Sequence, residues 1–459
     1  MIIMKPPFLP FLASAGVALC ALFLAATASA QVSLTFVTVG NPGNANDTSA
    51  INSLHPLGAV SYSYKMSAYD VTLAQYATFL NAVAKTDTYL LYNTNLGTYA
   101  QTKGIARAGI SGSYSYTVIG TGTRPVTWVS WFNAARFANW MCNGQPTGAQ
   151  GNATTETGAY TLNGANSGVT FTKNAGATYW IPSENEWYKA AYYDTSIAAT
   201  NKYWAYPTRS NSVPGNVVGN GTNMANFNNG RYSTTQSTIN NPNASYLTPV
   251  GAFTSSASAY GTFDQGGNVW QWTDQPYSST GIGDDSRTLW GGAFNGGETF
   301  MQGNGNYQIT KAPESKTYNL GFRLAATALS AFQQWLQSNS LPTDGTGTGS
   351  PTATPAGDGV ANLIKYALGQ SAGTINQSAL PSSNVALDYL TLSYTRPEPA
   401  PAGITYIVEA SGDLQTWSAN GTVATPGPVL NGARTTAVRD SLTVSAQSKR
   451  FLRLRITMP

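Results

Sequence analysis

The stretch GTFDQGGNVWQWTD, residues 261–274, constrains the fold of this chain more than any other segment. It places two adjacent glycines before two tryptophans that are separated by a single residue. Glycine permits tight backbone turns that other residues avoid, and it leaves its carbonyl oxygen accessible. Trp270 and Trp272 are expected to pack into a core and to anchor the turn. The sequence therefore predicts irregular, glycine-rich loops that are fixed to an aromatic interior.

Composition favours an exported protein with many turns. Of the 459 residues only 10% are charged and 12% are aromatic, and 46 are glycine. This usage suits extracellular, loop-rich proteins better than cytoplasmic enzymes. The formal net charge is +4 and the sequence has no Lys/Arg run, which argues against a nucleic-acid partner. The length predicts two or three domains.

Residues 1–30 have the layout of a secretory signal peptide. Lys5 precedes an apolar run over residues 8–26, and small residues lead to a cleavage site after Ala30. A retained anchor is the alternative interpretation. We expect a secreted, periplasmic or cell-surface protein from a bacterial host. The mature chain would keep one cysteine, Cys142, and so no internal disulfide, and no later stretch is long and apolar enough to span a membrane.

Changes in pattern along the chain predict three further regions. Residues 31–326 form one large domain, and residues 327–384 combine short helices with a Gly/Pro/Thr-rich linker that has little reason to pack. Period-two alternation over residues 385–459 predicts a small all-β sandwich, in which Ser411–Asp413 forms a hairpin turn. Asp358 is expected near the N-cap of a helix, in a segment that also looks like a fragment of a calcium-loop repeat with most of the acidic ligands missing.

Three helices of the large domain have recognisable starts. Thr72 and Ser130 are expected to cap helices that carry apolar residues at helical spacing. Ser183 precedes Glu186 by three residues, which is the spacing of a capping box. Glu184 and Glu186 do not share a helix face, so a structural role for Glu186 is favoured over a catalytic carboxylate pair. Packing in the core is the simplest interpretation of the aromatic residues on these helices.

Six ordered segments resemble the formylglycine-generating enzyme family, also called sulfatase-modifying factors. The resemblance covers about residues 33–326 and implies an α+β fold like that of the C-type lectins, with a large share of irregular loop. The matching segments are Asp70–Thr72 with Gln75, Pro125–Trp131 with Ala134, Ile181–Trp187, Gly267–Trp272, Trp290–Ala293 and Gly321–Arg323.

The resemblance also implies structural calcium. A first ion would be held by Asp264, Gly267, Val269 and Gln271, although Gln271 replaces the family's glutamate and removes one negative charge. The alternative is a glycine turn held by aromatic packing alone. A second ion would take Asn226 and the carbonyl of Phe227, but the acidic position of that site falls among residues 241–243, which contain no carboxylate.

The redox chemistry of the family is not expected in this chain. The family's copper-binding cysteine pair would lie within residues 290–323, a segment without cysteine, and Cys142 alone cannot replace it. A sister branch holds iron with three histidines, whereas His55 is the only histidine of the chain. His55 precedes a proline and is expected in an exposed loop. The sequence therefore predicts neither copper nor iron and no formylglycine formation.

Three functional hypotheses remain at this point. The first is a non-catalytic binding protein that recognises a glycan, a peptide or another cell-surface ligand through exposed loops. The second is an enzyme of unknown chemistry that uses the residual cleft, with Asp284, Asp285 and Glu298 as metal ligands. The third is a structural or sorting role for the C-terminal module. Candidate ligand contacts, each of which could instead be a core residue, are Trp290, Phe294, Asn295, Phe300, Asn304 and Tyr307.

Overall fold

A computed structural model describes residues 31–49, 56–277, 285–303, 309–343, 345–373, 379–447 and 449–458. The expected signal peptide and His55 lie outside these residues. The chain forms two compact units, of which the first extends to Thr327 and the second begins at Ala328. Within the part of the chain that the structure describes, no helix has both the length and the apolar character needed to cross a membrane.

Helix starts in the first unit are set by side-chain caps. The helices are α1 (Leu73–Val83), α2 (Asn95–Thr98), α3 (Trp131–Cys142) and α4 (Glu184–Tyr192). Thr72, Ser130 and Ser183 accept a hydrogen bond from the backbone N–H three residues later and cap α1, α3 and α4. Each cap forms a complete capping box, and Glu186 is the partner of Ser183. The three predicted helix starts are confirmed.

Short strands make up the sheets of the first unit. They are β1 (Phe36–Val39), β2 (Tyr64–Ser67), β3 (Ile105–Ala108), β4 (Ser115–Val118), β5 (Tyr179–Trp180), β6 (Trp270–Tyr277), β7 (Ser286–Trp290), β8 (Ile309–Lys311), β9 (Leu320–Gly321) and β10 (Ala325–Thr327). One sheet has the order β1-β2-β10-β5 and is antiparallel, and β3 pairs with β4. A second sheet has the order β8-β7-β6-β9, in which β6 and β9 are parallel.

Aromatic rings fill the interior between these elements. Phe79 on α1 meets Phe137 on α3 edge to face, with ring centroids 5.3 Å apart and an interplanar angle of 79°. Phe322 packs against Phe137 at 5.4 Å. Such edge-to-face pairs add to the free energy gained from burial alone. Trp270 and Trp272 are buried, as the glycine-rich segment predicts. This unit is therefore α+β with long irregular connections, the class expected from the sequence.

Among its described residues, the second unit combines two α-helices with six strands. The elements are α5 (Ala331–Ser338), α6 (Asn362–Ala367), β11 (Ser382–Ala386), β12 (Tyr389–Pro397), β13 (Thr405–Ser411), β14 (Thr422–Leu430), β15 (Ala433–Thr443) and β16 (Phe451–Thr457). One sheet has the order β11-β12-β15-β14, and β13 pairs with β16. Leu392, Tyr394, Val408 and Val438 form the core between the strands. The alternating pattern of residues 385–459 thus gives the all-β region that it predicts.

Two expectations for this unit are wrong in detail. The glycine-rich linker packs, because the buried Asn362 side chain donates to the carbonyls of Thr348 and Ser350 within it. Asp358 does not cap α6. Its carboxylate lies 2.5 Å from the buried ammonium of Lys365, and the N-cap residue is Ala361. A buried cation thus occupies the interior of the segment that resembles a calcium loop.

The turn after β13 also differs from the expected hairpin. Residues 411–413 do turn, and the Asp413 carboxylate accepts hydrogen bonds from the backbone N–H groups of Gln415 and Thr416. However, β13 pairs along its length with β16 and makes only one bridge to the segment after the turn, between Ala410 and Ser418. Local turn residues specify where a strand ends, but not which strand becomes its partner.

Candidate functional site

Gln271 closes the glycine-rich loop that precedes β6. Its side chain is fully buried. The Oε1 atom accepts hydrogen bonds from Trp187 Nε1 at 2.7 Å and Arg323 Nε at 2.6 Å, and Nε2 donates to the main-chain oxygen of Asp264 at 2.7 Å. A carboxamide can fill all three positions because it carries both donors and acceptors, whereas a carboxylate only accepts. The glutamine therefore cross-links the loop to α4 and to the segment after β9.

Arg323 is a fully buried cation beside this loop. In addition to Gln271, it donates to the main-chain oxygens of Phe263 at 2.7 Å and Ser67 at 3.0 Å. Its Nη2 atom lies 3.2 Å from Asp70 Oδ1. A buried guanidinium is tolerated only when such partners compensate for the loss of water. Arg323 therefore connects β2, the glycine-rich loop and β6.

Two carboxylates compete for this guanidinium. Asp70 Oδ2 is buried and has no hydrogen-bond partner among the described residues. Burial raises the pKa of Asp70 to about 8, against the opposing attraction of Arg323. Burial also raises the pKa of Asp264 to about 6, although the backbone N–H of Gly251 stabilises its charged form. Near neutral pH the pair therefore retains a proton.

The first predicted calcium site fits the ion poorly. Asp264, Gly267, Val269 and Gln271 lie in one loop, but Gln271 Oε1 already accepts two hydrogen bonds. Asp264 Oδ2 accepts a hydrogen bond from Gly251 N at 2.6 Å. The cavity beside Asp264 measures about 10 Å³, which is close to the minimum that a single water molecule requires. The geometry therefore assigns Gln271 a structural role in closing the loop.

The second predicted site retains a suitable oxygen. The side chain of Asn226 is buried, and its Nδ2 donates to Asn268 Oδ1 at 3.0 Å, whereas its Oδ1 has no partner among the described residues. Exchanging the two amide atoms would place oxygen against oxygen, so the neighbours fix the orientation. The Phe227 carbonyl accepts a hydrogen bond from Asn216 at 3.1 Å. The backbone of Asn226 pairs with Gly267, which brings the two predicted sites together.

Three partly exposed aromatic rings meet elsewhere on the first unit. We call Tyr99, Trp128 and Tyr318 the aromatic patch. The ring centroids of Tyr99 and Tyr318 are 5.6 Å apart at an interplanar angle of 30°, and the Trp128 ring stands at 73° to Tyr99 at a distance of 5.3 Å. Trp128 and Tyr318 are 6.2 Å apart. The patch is therefore a compact cluster in which the two tyrosine rings are tilted by 30° and the indole stands steeply to Tyr99.

Side-chain amides border the aromatic patch. Tyr99 OH donates to Gln101 Oε1 at 3.1 Å, and Gln101 Nε2 donates to Asn240 Oδ1 at 2.7 Å. On the other side, Asn295 Nδ2 donates to Tyr318 OH at 3.1 Å. Asn240 is exposed and Asn295 is partly exposed. These groups hold the phenol oxygens in fixed positions and present uncharged donors and acceptors to solvent.

The backbone of Trp128 adopts an unusual conformation. Its φ angle is +57°, a region that a bulky residue rarely enters and that costs of order 1–2 kcal/mol. Trp128 N donates to Thr317 O at 3.0 Å, and Nε1 donates to Thr102 Oγ1 at 3.1 Å. These bonds hold both ends of the residue in place. Strained backbone of this kind is frequent at sites that bind ligands.

A family model for the sulfatase-modifying factor enzyme 1-like domain matches residues 31–328. The chain belongs to the sulfatase-modifying factor family. The resemblance that the six ordered segments indicate is therefore confirmed, together with its fold. The match covers the whole first unit after residue 30 and ends at residue 328, the first residue of the second unit.

Solved structures similar to this sulfatase-modifying factor domain share little sequence with it. CarF is 19% identical over 64% of this chain and 99% of its own, with a TM-score of 0.39. Treponema denticola variable protein 1 is 16% identical over 65% and 97%, with a TM-score of 0.37. PvdO from Pseudomonas aeruginosa is 16% identical over 65% and 93%, with a TM-score of 0.32. No curated protein sequence matches the chain.

Trp290 and Phe294 do not form the recognition surface expected of them in this sulfatase-modifying factor domain. They are only 3% and 1% exposed. Trp290 Nε1 donates to Glu184 Oε1 at 2.7 Å, and its ring stacks on Trp187 at 5.8 Å. Phe294 stacks on Tyr246 with an interplanar angle of 5°. The core alternative is therefore correct for both residues, because their neighbours cover the rings completely.

The remaining predicted contacts divide into three cases. Phe300 is partly buried, and its ring packs edge-on against Trp270 at 5.4 Å. Asn295 lies at the border of the aromatic patch, where it contacts Tyr318. Asn304 and Tyr307 lie outside the described residues. Of the predicted set, Asn295 is thus the residue that the structure brings to a partly exposed aromatic surface.

Glu184 and Glu186, the pair considered for catalysis, have structural partners. Glu186 Oε2 accepts from Ser183 N at 2.7 Å, and Oε1 accepts from Tyr62 OH at 2.7 Å. Asp284 lies outside the described residues, so the metal site expected with Asp285 and Glu298 cannot be assembled from described side chains alone. Across the described ranges, no three His, Cys, Asp or Glu side chains converge as metal ligands.

Sequence reasoning missed the three rings of the aromatic patch. Tyr318 lies at the end of residues 286–318, the segment that contains all the predicted ligand contacts, so a search for aromatic residues there could have included it. Trp128 lies within the Pro125–Trp131 segment, which is assigned to the family motif and not to a ligand surface. Tyr99 follows the short helix α2, and no local sequence pattern marks it as a ligand contact. Only the fold places these three positions side by side.

Proposed function

We propose that the first unit recognises a ligand through the aromatic patch and does not catalyse a reaction. The observation that carries the proposal is the meeting of Tyr99, Trp128 and Tyr318 as partly exposed rings whose polar atoms are held by neutral side chains. Large rigid aromatic surfaces bind ligands at low conformational cost, and amides adapt to the partner's hydrogen bonds. A pre-organised surface of this kind suits a binding function.

The non-catalytic part of the proposal rests on the residues available. Copper chemistry in this family requires a cysteine pair, and the sister iron branch requires three histidines. After the proposed cleavage of the signal peptide, the mature sequence contains one cysteine, Cys142, and one histidine, His55. Cys142 lies at the end of α3, where its Sγ accepts a hydrogen bond from Tyr179 N at 3.4 Å. Neither residue can rebuild the family's redox centre.

Export is part of the same proposal. It is supported by the charged start, the apolar run and the small residues before Ala30. A secreted, periplasmic or surface-attached protein would meet cell-surface ligands, which agrees with the low charge of the chain. N-terminal sequencing of the protein from its host should begin at Gln31, and a chain that still begins at Met1 would contradict cleavage after Ala30.

Substitution of Trp128 tests the binding site. Both Trp128→Gly and Trp128→Ala are expected to weaken binding about tenfold or more, because a central aromatic contact is lost. Glycine adopts positive φ freely, whereas alanine is strained there. The free energy of unfolding of Trp128→Gly should therefore be about 1 kcal/mol higher than that of Trp128→Ala. Co-sedimentation with cellulose, chitin and peptidoglycan, and an array of proline- and aromatic-rich peptides, would measure binding. Denaturant titration would measure stability.

Tyr114→Ala is the matched control for this experiment. Tyr114 is a partly exposed tyrosine that packs beside Arg107 and does not belong to the patch. The control should bind as the unsubstituted chain does. Equal binding by the Trp128 variants, or no retention on any probe, would overturn the proposed site. Chemical change in a recovered probe would show catalysis and overturn the non-catalytic assignment.

Calcium is proposed as a structural ion at Asn226, supported by the buried Asn226 Oδ1 atom that lacks a described partner. An ion that binds only the folded state stabilises it by about 2.7 kcal/mol at about 100 times its Kd. Calcium should therefore raise the thermal unfolding midpoint of the full chain, and Asn226→Ala should remove this shift. Asn152→Ala, at an exposed position outside the predicted site, should keep it. An undiminished shift in Asn226→Ala would place the ion elsewhere.

A further inference from the structure

We infer that the aromatic patch binds an uncharged carbohydrate chain. This inference rests on the proposed function, since it names the ligand class of the same site. Tyr99, Trp128 and Tyr318 carry no charge, and neither do the amides of Asn240 and Asn295 that border them. The carbon–hydrogen faces of a pyranose ring pack against aromatic faces, and the hydroxyl groups around its edge require donors and acceptors together.

The bordering amides have unused capacity of both kinds. Asn295 donates one hydrogen bond to Tyr318 OH and accepts one from Asn319 Nδ2 at 3.3 Å. Asn240 accepts one from Gln101 and donates one to Tyr232 OH at 3.2 Å. A carboxamide has two N–H donors and two oxygen lone pairs, so each of these groups retains one of each. A sugar hydroxyl, which donates and accepts at once, complements such a group.

The rings are also held before a ligand arrives. Tyr99 OH is bound to Gln101, Trp128 Nε1 to Thr102 and Tyr318 OH to Asn295. Ordering side chains on binding costs free energy, and groups that are already ordered avoid that cost. The Tyr99 and Tyr318 rings are tilted by 30° with centroids 5.6 Å apart, and the Trp128 ring stands at 73° to Tyr99. A sugar ring can pack against the exposed part of this fixed cluster of rings.

Acidic ligands are less suited to this surface. Lys316 lies two residues before Tyr318, but its ammonium donates to Leu90 O at 2.5 Å. An acidic glycan would depend on attraction to such basic groups, and that attraction weakens as salt screens it. A proline-rich peptide would use the rings but would not need the paired donors and acceptors of Asn240 and Asn295. The observations therefore favour neutral sugars over both alternatives.

Calorimetric titration of the full chain with defined hexasaccharides tests this inference. The neutral set would be cello-, xylo-, manno- and chitohexaose, and the comparison set would be oligogalacturonate and a proline-rich peptide. At least one neutral glycan should bind at sub-millimolar concentration, with less than about a twofold change between low salt and about 0.5 M NaCl. Trp128→Gly and Tyr318→Ala should each weaken that binding by about tenfold or more. Tyr318→Phe, which keeps the ring, should weaken it far less, and Tyr114→Ala should leave it unchanged.

The other outcomes separate the two proposals. Patch-dependent binding of only the peptide, or only the acidic glycan, would overturn the carbohydrate inference and leave the proposed recognition function standing. Binding of a neutral glycan that persists in both Trp128→Gly and Tyr318→Ala would place the sugar elsewhere and overturn the inference. Absence of binding by every neutral glycan would also overturn the carbohydrate inference. If the comparison set and the insoluble probes also show no binding, the proposed function would be overturned too.

Discussion

Replacing Arg323 by Met is expected to lower the free energy of unfolding of the first unit by roughly 3–5 kcal/mol, because several buried acceptors lose their donor at once and each such loss costs about 1–3 kcal/mol. The Arg323 guanidinium is fully buried and donates to Gln271, Phe263 O and Ser67 O, beside the Asp70 carboxylate. Methionine fills much of the same volume but donates no hydrogen bond. The buried carbonyls and the carboxylate would lose their partner together.

Denaturant titration of the full chain would measure this change in the first unit's transition. Arg231→Met is the control, because Arg231 is exposed and makes one side-chain hydrogen bond, to Gln236 O at 2.9 Å. It should change stability by less than about 0.5 kcal/mol. If Arg323→Met fails to accumulate, Gln271→Leu offers a milder test, since it removes the bonds to Trp187, Asp264 and Arg323 Nε while keeping the cation and its other partners. Unchanged stability in both variants would contradict the structural role assigned to this cluster.

Raising the pH from about 4 to about 8 is expected to destabilise the first unit. Burial raises the pKa of Asp70 to about 8, of Asp264 to about 6 and of Asp274 to about 7. In the unfolded chain these groups ionise near pH 4. Because the folded state holds the protons more tightly, the stability they contribute is full below pH 4 and is lost as the pH passes through the folded values. Each pKa unit corresponds to about 1.4 kcal/mol, so the combined loss should be several kcal/mol.

Thermal unfolding at a series of pH values would measure this loss. Asp70→Asn should flatten the dependence between about pH 4 and 8, because it removes the largest shift. The second unit should respond in the opposite direction. Hydrogen bonds from Arg455 and Arg453 lower the pKa of Glu409, so the stability this residue contributes is lost as the pH falls below about 4. A first unit that grows more stable from pH 4 to 8 would contradict the prediction.

Local chemistry predicted the helix starts of this protein well. A Thr, Ser or Asn-type cap is read from a few adjacent residues, and Thr72, Ser130 and Ser183 all cap helices as expected. Burial of Trp270 and Trp272 followed from the same short range, because alternating tryptophans after a glycine turn have few alternatives. Family membership was accessible because six motifs occur in a fixed order. These features are all encoded within single segments.

The candidate site was not accessible in this way. Trp290 and Phe294 looked like recognition residues, but whether a ring is exposed depends on which distant side chains cover it, here Trp187 and Tyr246. The aromatic patch joins Tyr99, Trp128 and Tyr318 from three separate segments, so no spacing in the sequence indicates it. The same limit applies to Gln271. Its substitution suggested a weakened calcium site, whereas its bonds show a side chain that closes the loop.

The pairing of β2 with β10 has a consequence for how the first unit can fold. Met66 lies opposite Ala325, so the central sheet joins two strands from almost opposite ends of the unit. Closing so long a loop costs chain entropy before the contacts can repay it, and contacts of large sequence separation slow folding. While the chain is being synthesised, the edge of β2 that faces away from β1 has no partner until β10 has been made. The late position of this closing strand therefore delays completion of the sheet until the whole unit is available.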